Sequence, residues 1–250
     1  MARLKAMLGT FYSRAKPSIL RMLSASGWTD AEFDKLIEVD PARIVYYQDV
    51  GRWQHRRLTE YNPQAGVDAG RFVNANVGKI LDGDWDLVHV DFRQNNIYRL
   101  LHERYILGVR WEETEIFRKY AAEIAAGERR WHWSTSYEEL LETSREIETL
   151  YKEIRENGYR TRADAGRGGV GDEVTVSIGR EGELLYNNVG GHHRLTIGKL
   201  LGLPKIPVQV LIRHRQWQDV RDEVRSASQM EALSARARAL LGHPDLTDIE

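Results

Sequence analysis

The stretch from Val174 to Ile212 constrains the fold most. Val174, Val176 and Ile178 alternate with short polar residues in the manner of a half-buried strand, and Gly179-Arg180-Glu181-Gly182 follows as a turn. Leu184, Leu185 and Tyr186 begin a return strand, so the segment reads as a hairpin. Asn187-Asn188-Val189 then leads into Gly190-Gly191 and a helical run from His192 to Leu201, which Gly202 and Pro204 stop. Ile206-Pro207-Val208-Gln209-Val210-Leu211-Ile212 is a core strand. A helix held this tightly between strands requires a sheet for it to lie on, which implies an α+β fold.

The rest of the chain is read around that unit. The first forty residues have a helical pattern, with a helix start at Pro17 and a capping pattern from Thr29 to Glu32. Asp40-Pro41-Ala42-Arg43-Ile44-Val45-Tyr46-Tyr47 turns into a strand. Residues 51–78 read as a long surface loop. Gly83-Asp84-Trp85-Asp86 is a turn before a short strand through Phe92, and residues 96–126 are helical with a break near Gly108. Residues 136–157 form the clearest helix: Ser136 and Glu139 make a capping box, Leu140, Ile147, Leu150 and Ile154 recur at helical spacing, and Gly158 ends it. Residues 162–172 are a glycine-rich connector, and a charged helical tail follows Gln216.

Gly190-Gly191 before a helix is the local arrangement of an anion site. The first amides of a helix have no partner within it, and the helix dipole puts partial positive charge there. Glycines let a phosphate approach the backbone. Arg194 in the first turn can add a charge-assisted contact, and His193 a hydrogen bond or a proton. These contributions are modest singly, about 0.3–1 kcal/mol for the dipole and about 1.5–3 kcal/mol for a charged hydrogen bond. The same residues are also compatible with a plain left-handed turn in which Arg194 pairs with a carboxylate. His192 and His193 are adjacent and point about 100° apart on a helix, so they do not chelate one metal ion together.

Asn187-Asn188-Val189-Gly190-Gly191-His192-His193-Arg194, with the following Leu201-Gly202 and Ile206-Pro207-Val208, resembles the end of the sulfiredoxin/ParB N-terminal fold. The resemblance implies a small mixed sheet with helices. It divides the chain into a helical N-terminal region (1–39), a core (40–215) with a helical insertion at about 96–160, and a C-terminal helical tail (216–250). In sulfiredoxins the matching turn holds nucleotide phosphates and carries a nucleophilic cysteine. Here His192 stands at that position and the chain has no cysteine, which excludes sulfinic acid reduction by that route. The wording Gly-His-His-Arg is nearest to the free-serine kinase branch, which implies phosphoryl transfer from a nucleotide (ATP, ADP or CTP) with Mg2+ to a small hydroxyl compound. The implied ligand contacts fall on Asn188, Gly190, Gly191, His192, His193 and Arg194.

A kinase-like site needs a general base. Asp84, Asp86, Asp91, Glu112 and Glu113 are candidates, and Asp86 and Glu113 are preferred because each lies close in sequence to a tryptophan that can exclude water and raise a carboxyl pKa. They are equally readable as turn and helix-start residues. With His193 these make the candidate catalytic set.

The alternative is a ParB-like DNA-associated regulator or nuclease-like module. The tail arginines favour it, while a net charge of -1 from 36 basic and 37 acidic residues offers no general attraction to nucleic acid. Gly166-Arg167-Gly168-Gly169 lacks the Gly-Lys-Ser/Thr ending of a phosphate loop and reads as a connector. Trp131-His132-Trp133 reads as a packing cluster. The absence of cysteine and of any long apolar run leads to the expectation of a cytoplasmic protein without a membrane span.

Overall fold

A computed structural model describes residues 27–31, 36–48, 76–128, 134–161, 163–164, 166, 173–188 and 190–249. The expected helix start at Pro17, the cap at Glu32, most of the 51–78 loop, Trp131-His132-Trp133 and most of the connector lie outside them.

Seven strands form one mixed sheet: β1 (Leu36–Val39), β2 (Tyr46–Tyr47), β3 (Ile80–Leu81), β4 (Val90–Asp91), β5 (Val174–Ile178), β6 (Leu184–Tyr186) and β7 (Ile206–His214). Their order is β1-β7-β5-β6-β2-β4, with β3 also paired to β7. β5 and β6 are the expected antiparallel hairpin, Val176 facing Tyr186. Among the described strands β7 is the longest; β5 pairs with it on one edge and β1 and β3 on the other, and its side chains are buried along its whole length in clusters with Val174 and Val176 and with Trp85 and Leu185. That two-sided burial explains its nearly unbroken apolar sequence.

One expectation is corrected. Leu36–Val39, placed in the helical N-terminal region, is a strand antiparallel to Ile206–Gln209; isolated helical spacing loses here to pairing with a buried strand. Pro41–Arg43 is a 3-10 turn, because Asp40 accepts a hydrogen bond from the Ala42 amide at 2.8 Å and Pro41 supplies the fixed first dihedral, and the strand expected to follow is β2. Trp85–Leu87 is a 3-10 turn, and the short strand expected after it is β4.

The helices among the described residues are α1 (Asn96–Tyr105), α2 (Glu115–Ala125), α3 (Tyr137–Asn157), α4 (His192–Leu200), α5 (Arg215–Ser226) and α6 (Ala235–Leu240). The break near Gly108 separates α1 from α2, and Gly158 ends α3 at a φ of 74°. Ser136 accepts from the Glu139 amide as a cap, while Glu139 reaches back to Thr135 rather than to Ser136. α4 is nearly all buried: Leu195 packs on the sheet with Val174, Val176 and Tyr186, and Ile197 joins the cluster of α1, α2 and α3. Its far end is fastened where Lys199 Nζ donates to the Pro41 carbonyl at 2.6 Å.

The segment after β7 packs back on the core. Arg213 donates to Asp245 at 2.5 and 2.9 Å, and Trp217 Nε1 donates to Asp245 at 2.8 Å. Arg221, fully buried, bonds Asp30 and Asp248 and lies 3.4 Å from Asp245, while Arg225 also pairs with Asp30. His243 Nε2 donates to the Gly182 carbonyl at 3.0 Å and its ring meets Trp217 edge to face, so the hairpin tip is held by the segment after α6.

Candidate functional site

The start of α4 is built on the start of β5. Gly191 is the residue before the helix and has a φ of 73°. A Cβ there would stand 2.7 Å from the Val174 Cα, and one on Gly190 would stand 3.0 Å from the Glu173 carbonyl oxygen. Both glycines are therefore required by the close approach of turn and strand as well as by the left-handed dihedral of Gly191. Asn188, exposed, takes a φ of 60°, which its short polar side chain tolerates better than most. Gly191, the residue before α4, has no side chain with which to cap the helix. The His192 and His193 rings lie 4.2 Å apart, His193 buried and His192 half-buried.

Arg194 is placed differently from a free phosphate ligand. Its Nη1 donates to Glu173 Oε2 at 2.8 Å, its Nη2 donates to the Arg160 carbonyl, and its guanidinium lies 4.2 Å over the Tyr159 ring. Tyr159 also donates its hydroxyl to Glu173 at 3.3 Å, and burial pushes its own phenol pKa up. The carboxylate-paired reading of Arg194 thus describes the structure, and the guanidinium serves first to hold the end of α3 against the start of β5. Glu173 and Tyr159 had no sequence signal: a single Glu after a glycine-rich connector, and a Tyr one residue past a helix stop, match no motif.

Asp86 is not brought to the turn. Its carboxylate accepts from the Arg180 amide at 2.8 Å and from the Arg180 guanidinium at 2.7 and 2.9 Å, and His214 Nε2 lies 3.9 Å away. Burial pushes its pKa up, but the Arg180 hydrogen bonds and the nearby charges outweigh this and hold it below the usual carboxylate value. Asp86 touches Gly179, past one end of β5, whereas Gly191 touches Val174 at the other. At about 3.3 Å per residue the two ends lie roughly 16 Å apart. The tryptophan that was expected to raise its pKa is present, yet the arginine dominates.

Glu113 is exposed, on the 3-10 turn Trp111–Glu113, whose Trp111 donates to Glu148 at 3.0 Å within the helical cluster. No bond among the described residues joins it to the glycine turn. Asp84 pairs with Arg180 and Asp91 with Arg93. A cavity of about 170 Å3 lies at the hairpin end, against Arg43, Tyr46, Glu181 and Glu183.

Among the described residues no three His, Asp or Glu side chains gather in a set that could hold a metal ion. A phosphate at the glycine turn would be met by backbone amides, and Mg2+ there would be carried by phosphate oxygens and water rather than by a protein cage. No helix among the described residues is long and apolar enough to cross a membrane. No protein-family model, curated protein or solved structure matches the chain.

Proposed function

We propose that this chain binds a nucleotide (ATP, ADP or CTP, with Mg2+) through a phosphate placed at the start of α4, and uses it for phosphoryl transfer to a small acceptor or for hydrolysis. The observation that carries the reading is a buried helix opened by two glycines pressed against a strand, the second of which has no side chain to cap it. Such a helix end has amide donors and dipole directed at one place. His193, the second residue of α4, with its ring 4.2 Å from that of His192, is the group assigned to carry a proton. Asp86 has no part in the reading, because it is locked at the opposite end of β5.

The DNA-associated alternative is weaker for a specific reason. Of the tail arginines that favoured it, Arg221 and Arg225 are spent on buried aspartates, and Arg236 bonds the Arg180 carbonyl and Glu181.

The test is thermal unfolding of the full chain with pyrophosphate, ATP, ADP and CTP, each with Mg2+. Binding to the folded state raises the midpoint in proportion to RT ln(1 + [L]/Kd). Concentration-dependent stabilisation supports the reading, and turnover that requires an added hydroxyl compound separates transfer from hydrolysis. A midpoint indifferent to all four ligands overturns it.

A further inference from the structure

The sheet has two buried faces of unlike character. One carries Val174, Val176, Tyr186 and Val208 against α4. The other is apolar towards the hairpin end, where Leu185, Leu211 and Ile212 meet Trp85. Towards the glycine turn that second face becomes polar. Gln209 on β7 lies opposite Thr175 on β5. Thr175 Oγ1 donates to Asn187 Oδ1 at 2.6 Å, just past β6. The Gln48 amide donates to the Tyr186 carbonyl at 2.8 Å, which continues the parallel Tyr47–Tyr186 register and sets Gln48 beside Asn187. Four neighbouring strands therefore carry one uncharged polar side chain each in a single row, and every one is at most 2 % exposed.

This is an expensive thing to bury without purpose. Buried sheet faces are normally apolar, and an acceptor left bare loses its water without replacement. Gln48 Oε1 is such an acceptor: it is buried and has no hydrogen-bond partner. Local rule-breaking of this kind concentrates at functional sites. The row also begins at the turn already described, since a Cβ on Gly190 would meet Thr175 Oγ1 at 4.0 Å. Gln48 lies two strand spacings further across the sheet, about 10 Å from Thr175.

We propose that this row is the base-recognition shelf of the nucleotide site, with Gln48 Oε1 accepting from the amino group of the base. The proposal rests on the phosphate reading above. Its chemistry follows from the side chains: two glutamines, an asparagine and a threonine offer both donors and acceptors but no charge, which suits the edge of a neutral heterocycle and not a second phosphate. A uracil base, which has a carbonyl where cytosine has its amino group, would set two acceptors against each other at Gln48.

The experiment compares pyrophosphate, CTP and UTP on the full chain and on Gln48→Leu. Gln48→Leu removes the unpartnered acceptor and keeps the size of the side chain, and its melting temperature is measured beside that of the parent so that ligand binding is compared on folded protein. The expected result is that the parent binds CTP about tenfold more tightly than UTP, the size of one well-formed hydrogen bond, and that Gln48→Leu removes the preference while binding pyrophosphate as the parent does. Equal binding of CTP and UTP by the parent, or a preference that survives in Gln48→Leu, overturns the shelf and leaves the phosphate site standing. Equal loss of pyrophosphate and CTP in a folded Gln48→Leu also overturns it. Failure of the parent to bind any of the three ligands removes the phosphate reading itself.

Discussion

The Arg194 guanidinium meets the Glu173 carboxylate at 2.8 Å beside the glycine turn, with 11 % and 1 % of their side chains exposed. Removing one partner leaves the other buried and unpaired. Arg194→Ala is therefore expected to cost about 3–5 kcal/mol of stability, and Glu173→Ala a similar amount. Changing both to leucine should recover much of the loss, and urea denaturation of the singles and the double gives the coupling directly. The consequence for function is practical: loss of ligand binding in Arg194→Ala alone does not separate phosphate recognition from damage to the fold.

Asp86 and Arg180 make a second closed pair at the other end of β5. Asp86→Asn is expected to lower stability by about 2–3 kcal/mol, as a charged, multiply hydrogen-bonded carboxylate becomes a neutral amide. Its affinity for pyrophosphate, measured by calorimetry, should equal that of the parent. A large fall in affinity without a fall in stability would return Asp86 to the site.

Asp245 makes the chain acid-sensitive. Burial pushes its carboxyl up, but the charges of Arg213 and Arg221 and hydrogen bonds from Arg213 and Trp217 overcome this and hold it far below the ordinary value. A carboxyl depressed in the folded state stabilises it above the unfolded value, near pH 4, and that contribution is lost as pH falls through the folded value. Asp245→Asn should show a lower urea midpoint at pH 6 and a shallower further decline between pH 4 and the acid limit.

His243 acts in a higher pH window. Its Nδ1 accepts from the Asp245 amide at 3.1 Å and its Nε2 donates to the Gly182 carbonyl, which assigns both ring nitrogens in the neutral form. Burial pushes its pKa down to about 4. Because the folded value is depressed from about 6.5, the contribution is complete above pH 6.5 and is lost as pH falls towards 4, on the order of 3 kcal/mol. His243→Gln should flatten the stability curve between pH 7 and 4, read as the urea midpoint at each pH.

Much of the local structure was legible because it is governed by nearest neighbours along the chain. The Ser136 cap, the Gly158 stop, the β5–β6 hairpin and the Gly191–Leu200 turn and helix each follow from residues within a few positions. The strand at Leu36–Val39 was not legible, since only pairing with Ile206–Gln209 makes it one. At the site, Gly190 and Gly191 could be picked out, while Glu173, Tyr159 and Gln48 could not. Their meaning depends on partners such as Arg194 and on a register between strands far apart in sequence.

By itself the amino-acid sequence determined where a buried helix begins on a glycine pair and which strands flank it, because dihedral freedom and side-chain periodicity are properties of short segments. Tertiary structure alone decided that Arg194 turns to Glu173, that Asp86 belongs to Arg180, and that four polar side chains share one buried row. Charge pairing and burial depend on distance in space, and the order of residues along the chain does not specify that distance.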